Sequence, residues 1–174
     1  MNMNTKAMAV CGVLLMMVLG ACGGSETTVQ VGVEPEGDRF EVRLLGQDSA
    51  KYEKLVLSLG TVEVSTGGKS VHFQPVHSAR QMDLVENHAH LLGYMYLPHD
   101  ADTADVTIRF DDTGAYQTPD SAGLVQTRTA TIQFTSKRSD LEKRGRAVVQ
   151  LHLKDSLFQA RNAKALLPAT FIAH

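Results

Sequence analysis

The side chains that could do chemistry are chiefly histidines: His72, His77, His88, His90, His99, His152 and His174. His88-Ala-His90 forms an i, i+2 pair, and His99 follows nine residues on. Imidazole nitrogens are good ligands for Zn²⁺, which takes three or four N, S or O ligands at about 2.0–2.2 Å. Backbone geometry decides whether such a pair works. On a strand, i and i+2 share a face, whereas on a helix they diverge by about 200°. The stretch Met82 to Leu92 reads as a short helix. Val85 and Leu92 are seven apart, and Leu84, His88 and Leu91 fall at i, i+4 and i+7. On that helix His88 joins the apolar stripe, His90 faces solvent, and the two do not chelate. His88, His90 and His99 are thus the metal candidates of a second reading, a small metal- or ligand-binding protein. The first reading has no cofactor. His72 and His152 read as surface histidines on the polar faces of strands.

Other clusters read as surface. Asp100, Asp102 and Asp105 are close enough in sequence to suggest Ca²⁺, but Ala104 and Asp105 stand where an EF-hand loop needs an acid and then Gly. A solvated turn is expected. Asp111-Asp112-Thr113-Gly114 also reads as a turn, with Gly114 supplying a positive φ. Lys137, Arg138, Lys143, Arg144 and Arg146 are diluted by Asp140 and Glu142 and read as a charged hairpin loop. The formal net charge of -2 gives no reason to expect nucleic acid as a partner. The chain has no Gly-x-Ser-x-Gly elbow, no Gly-rich phosphate loop and no His-Glu-x-x-His helix. No catalytic residues are assigned and no enzymatic activity is expected. Among 19 acidic residues a spatial pair of carboxylates, as a glycosidase uses, remains a third class of reading.

The elements that must position these residues are mostly strands. A chain of 174 residues with 43% hydrophobic and 21% charged side chains suits one globular domain. Apolar residues alternate at Phe40/Val42/Leu44, Leu55/Leu57/Leu59, Val106/Ile108/Phe110, Ala130/Ile132/Phe134 and Ala147/Val149/Leu151/Leu153. After Gly60 the phase shifts to Val62 and Val64, the mark of a β-bulge. Thr66-Gly67-Gly68-Lys69 is a hairpin signal, and Val71 with Phe73 begins the return. Residues 94–97 fit strand or turn, 117–123 reads as a polar loop, and 155–165 fits a short helix or a strand edge. Thr170 to Ala173 reads as a last short strand. About seven strands patterned on one side imply an all-β fold, an antiparallel β-sandwich with one short helix near 82–92.

The first residues have a different character. Lys6 is the only charge before an apolar run of thirteen, Ala7 to Leu19, too short for a membrane span of about 20. The run ends in Leu19-Gly20-Ala21-Cys22, which resembles the bacterial lipobox. That resemblance implies that residues 1–21 are a lipoprotein signal peptide and that the Cys22 thiol is acylated and becomes the new N-terminus. Residues 22–37, rich in Gly, Thr and Glu, then read as a flexible tether, with a weak strand at VQVGV, and 38–174 as the sandwich domain. Loss of residues 1–21 removes Cys11, so no intramolecular disulfide remains. It also removes Lys6, leaving 16 of the 17 basic side chains against 19 acids. In lipoproteins an Asp after the Cys retains the protein at the inner membrane. Gly23 stands here, which implies lipid anchoring at the outer membrane of the bacterial cell envelope.

A second resemblance spans residues 38–112. It is carried by Phe40 to Leu45 (FEVRLL), Tyr52 to Val64 (YEKLVLSLGTVEV), Met82-Asp83-Leu84, Leu91-Leu92-Gly93, Leu97-Pro98 and Val106 to Phe110 (VTIRF). A weaker match runs over 148–156. These pieces resemble a bacterial envelope domain family of unknown function, often joined to a lipobox, and imply a transthyretin-like (prealbumin-like) sandwich. His99-Asp100 replaces the family's Ala-Gly after Leu-Pro, and Val71 stands where it often has an aromatic. The resemblance supplies no activity. The implied partners are the membrane, through the N-terminal lipid, and an envelope protein or glycan. The expected work is that of a non-enzymatic binding or structural module.

Overall fold

The protein is described by a computed structural model over residues 35–173. The expected signal peptide, Cys22 and most of the tether lie outside these residues, as does His174. In chain order the elements are β1 (Asp38–Gln47), β2 (Lys54–Leu57), β3 (Leu59–Thr66), β4 (Lys69–Val71) and β5 (Phe73–Pro75). After a 3₁₀ turn at His77–Arg80 come β6 (Met82–Asp83), β7 (His90–Leu97), β8 (Thr103–Phe110), β9 (Thr113–Thr118), β10 (Ser121–Gln126) and β11 (Thr131–Lys137). The chain ends with α1 (Arg138–Arg144), β12 (Arg146–His152), α2 (Leu153–Ser156), β13 (Leu157–Ala160), β14 (Ala163–Leu166) and β15 (Thr170–Ala173). Of the described residues, 60% are strand and 11% helical, so the fold is all-β and sandwich-like.

The strands form a five-stranded sheet β15-β12-β1-β7-β5, a six-stranded sheet β13-β14-β10-β9-β2-β6 and a four-stranded sheet β11-β8-β3-β4. The ladders β1–β12 and β10–β14 are parallel and the others antiparallel. The alternation read from the sequence is the burial pattern: Phe40, Val42, Leu44, Leu55, Leu57, Leu59, Val106, Ile108 and Phe110 are all buried in one core. The chain repeatedly passes from one sheet to another, at Ser58, at His72 and between Phe110 and Thr113. Among the described residues fifteen strands appear where about seven were expected, because the sheet changes at Ser58 and His72 split apolar runs and because β6, β9 and β10 fall in stretches read as helix, turn or loop.

Local expectations hold at several points. The β3–β8 register shifts between Leu59 and Thr61, at Gly60. Gly67 and Gly68 have φ of 53° and 78°, the two positive values that a tight hairpin turn needs. Gly114 is different. It lies inside β9 without a positive φ, where a Cβ would meet the Val56 carbonyl and the Leu57 side chain. Residues 117–123 are no polar loop but the turn of the β9–β10 hairpin, in which Thr118 pairs with Ser121.

The helix expected near 82–92 is not formed. Met82 in β6 and Leu84 just after it are both buried, residues 84–88 turn and bend, and β7 begins at His90. Two short alternations joined by a turn mimic helical spacing. The Asp83 carboxylate accepts the N–H groups of Leu55 (3.0 Å) and Val85 (3.2 Å), drawing the backbone away from the helical pattern. The basic stretch likewise holds α1 rather than a hairpin loop. Its buried Leu141 faces the core, and Gly145 ends it at φ 68°.

Arg138 is the clamp at one end of β1. Its Nη1 donates to Asp38 Oδ2 (2.6 Å), its Nε to the Ala101 carbonyl (2.8 Å) and its Nη2 to the Pro98 carbonyl. His99 Nδ1 donates to the same carboxylate oxygen at 3.1 Å. The bonds from Arg138, then from His99, hold the Asp38 carboxyl below the usual carboxylate range. A carboxyl lowered on folding contributes stability above its unfolded pKa and loses that contribution as pH falls through the folded value. In denaturant titrations across a pH series, Asp38→Asn is therefore expected to be less stable than the parent at pH 6. The gap should close on acidification, and a gap independent of pH would contradict the clamp.

Gly46, near the far end of β1, packs so closely on the 82–90 segment that a Cβ would overlap the Leu84 carbonyl. Gly46→Ala is expected to cost about 1–3 kcal/mol in urea unfolding, the usual range for overpacking against backbone.

Candidate functional site

The His pair sits where β6 turns into β7. Antiparallel pairing matches Leu44 with His90 and Arg43 with Leu91, and a register shift between Val42 and Arg43 leaves Leu92 as the extra residue. Gly93, Met95 and Leu97 face the core, so unbroken alternation would turn His90 outward. The bulge inverts the phase. Leu92 is fully buried, and His90 points to the same side as the buried Leu44 opposite it. There the His90 Nε2–H donates to the Asp83 carbonyl at 2.8 Å. Because a carbonyl only accepts, Nε2 carries the proton, and in the neutral imidazole the lone pair is on Nδ1.

His88 lies two residues before. Its ring centroid is 4.3 Å from that of His90, with 48° between the planes. Its Nδ1 is 3.5 Å from Glu86 Oε2. Glu86, His88 and His90 each offer a ligand atom within 4.8 Å of the others, and among the described residues this is the one place where three such groups meet. Glu86 and His88 are exposed and His90 is half-buried. The backbone between them is anchored from two sides. The Asp83 carboxylate holds the turn at Leu55 and Val85, and Arg43 Nη1 donates to the Ala89 carbonyl at 2.9 Å. The Arg43 Nε is paired with Glu41 at 2.7 Å, a bond that lowers the Glu41 carboxyl below its usual range.

The other sequence candidates go elsewhere. His99 follows β7 at its opposite end, more than about 20 Å from His90 at the rise of an extended strand, and is bound to Asp38. His152 Nδ1 donates to Asp48 Oδ2 at 3.0 Å, and the His72 ring lies tilted against Tyr96 with centroids 5.4 Å apart. The three aspartates after His99 do not converge. Asp105 accepts the Thr135 hydroxyl at 2.6 Å, and the Asp102 carbonyl accepts the Arg138 N–H at 2.7 Å. Sequence reasoning missed Glu86, whose two-residue spacing from His88 counts only on a non-helical backbone. It also missed a cluster of Tyr52, Tyr116 and Lys164, in which Lys164 Nζ lies 4.9 Å from the Tyr116 ring centre and 5.8 Å from that of Tyr52. Burial, then Tyr116, raises the Tyr52 phenol above its usual pKa.

No family model, curated protein or solved structure matches this chain. The functional reading therefore rests on the residues. Among the described residues no helix is long and apolar enough to cross a membrane.

Asp83 is the residue on which the turn most depends. Asp83→Ala removes an acceptor from two backbone donors, and hydrogen bonds to charged groups contribute about 1.5–3 kcal/mol each where partners are left unmet. A loss of about 2 kcal/mol in urea unfolding is expected, with faster amide exchange at Leu55 and Val85. Parent-like exchange at both amides would contradict this role.

Proposed function

We propose that the chain is a lipid-anchored protein of the bacterial cell envelope whose β body is a non-enzymatic binding or structural module. The observation that carries the reading is the order of features before residue 23. A single Lys6 precedes thirteen apolar residues, then small residues at Gly20 and Ala21, then Cys22. Peptidase cleavage and thiol acylation need those features in that order. Each buried methylene contributes about 0.8 kcal/mol, so two or three acyl chains hold a protein at a membrane where one does not.

The rest of the chain supports the same reading. A Gly-rich stretch follows Cys22, and the first strand among the described residues begins at Asp38. The resemblance over residues 38–112 is to an envelope family, and a transthyretin-like topology is part of the proposal. Gly23 after the cysteine favours the outer membrane. For a partner, an envelope protein or glycan, the body offers the exposed side chains of Leu124, Phe158, Leu167 and Phe171. Leu124 and Phe158 both project from the six-stranded sheet on the face opposite the buried Val125.

Cell fractionation tests the anchor. Cys22→Ala is expected to move the protein out of the membrane fraction and to abolish labelling by a fatty-acid analogue. Unchanged membrane association, or an unmodified residue 22 by mass spectrometry of the parent, would overturn it.

A further inference from the structure

We propose that Glu86, His88 and His90 form a binding site for a borderline divalent transition metal ion of the Zn²⁺ type. This inference is independent of lipidation. Around a four-coordinate ion with bonds of about 2.0–2.2 Å, ligand atoms sit roughly 3.3–3.6 Å apart. The His88 Nδ1 to Glu86 Oε2 separation of 3.5 Å falls in that range. The third ligand atom is within 4.8 Å, a gap that rotation of two exposed side chains can close. The donor set, two imidazoles and a carboxylate, suits Zn²⁺ and its neighbours rather than Ca²⁺ or Mg²⁺, which prefer all-oxygen shells. Three protein ligands leave a fourth position, and the exposure of Glu86 and His88 opens it to water or to a donor from a partner.

The surroundings are those of a supported site. A ligating imidazole commonly donates its other N–H to a carbonyl or carboxylate, which fixes the tautomer and the ring direction. His90 does so through Nε2 to the Asp83 carbonyl, and its Nδ1 lone pair is left for the metal. The Asp83 carbonyl also accepts the Glu86 N–H at 3.2 Å, so one carbonyl ties two of the three ligand residues. Arg43 fixes Ala89, the residue between the histidines, and its charge is matched by Glu41.

Titration calorimetry with ZnCl₂ on the full-length chain tests the site. The protein is purified in detergent, carries no polyhistidine tag and is stripped with EDTA. One Zn²⁺ per chain is expected. Loss of an outer-shell partner typically lowers affinity about 10–100-fold, and loss of a ligand costs at least that. His88→Ala, His90→Ala and Glu86→Gln should each weaken binding by about tenfold or more, whereas His99→Ala should bind as the parent does. His88→Ala is the decisive variant, because His88 is exposed and its removal leaves the His90–Asp83 bond in place. Circular dichroism of each metal-free variant guards against simple misfolding. Absence of saturable binding in the parent would overturn the site, as would parent-like affinity in folded His88→Ala.

Discussion

A strand bonded along both edges cannot slip by one residue without turning its whole buried face outward. β1 is held that way. Its first seven residues, Asp38 to Leu44, pair antiparallel with β7, and Glu41 to Gln47 pair parallel with β12. Phe40, Val42 and Leu44 enter the core, and Glu41 and Arg43 take the other face. Both clusters of interest are consequences of this placement. At the start of β1, Asp38 meets Arg138 and His99, which ties the β7–β8 turn and α1 to the strand. Further along, Arg43 reaches the Ala89 carbonyl, and Leu44 sets the direction of His90 across the ladder. The parallel partner comes from more than a hundred residues away, so the middle of the five-stranded sheet closes only after most of the chain is in place.

The legible parts of the fold are those where one-sided burial imposes period two. β1, β3, β8, β11 and β12 follow directly from their alternation. The bulge at Gly60 was readable because a glycine coincides with a change of phase. The second bulge, at Leu92, has no glycine at the extra residue, and its buried leucine falls where a helical stripe would also place one. That ambiguity produced the helical expectation for 82–92. The β9–β10 hairpin was missed for another reason. Its residues are mostly polar or small, and Leu124 is exposed while Val125 is buried, so little periodicity marks it. Parallel pairing of β1 with β12 is a non-local choice that local pattern does not encode.

The same distinction applies to the site. His88 and His90 were visible as a pair, but their relation depended on a backbone that the apolar spacing misrepresented. His99 follows His90 by nine residues, close in sequence. As strand they span the length of β7 and separate the two residues. Arg138 shows the converse. In sequence it is one charge in a basic stretch, yet its guanidinium is largely buried and satisfied by three carbonyls and a carboxylate.

Three histidines stand beside carboxylates, and distance separates their roles. His99 Nδ1 to Asp38 is 3.1 Å and His152 Nδ1 to Asp48 is 3.0 Å, both hydrogen-bonding distances at which the imidazole N–H donates to the carboxylate. Among the described residues each of those imidazoles has one acidic partner and no second imidazole in ring contact. His88 and Glu86 stand 3.5 Å apart, beyond a good N–H···O bond, and a second imidazole lies against the first. The proposed ion would take the His90 Nδ1 lone pair, which the Nε2–H bond to the Asp83 carbonyl leaves free. The bulge at Leu92 is what makes this arrangement available, because it turns His90 toward Asp83 while β1 holds the strand in register.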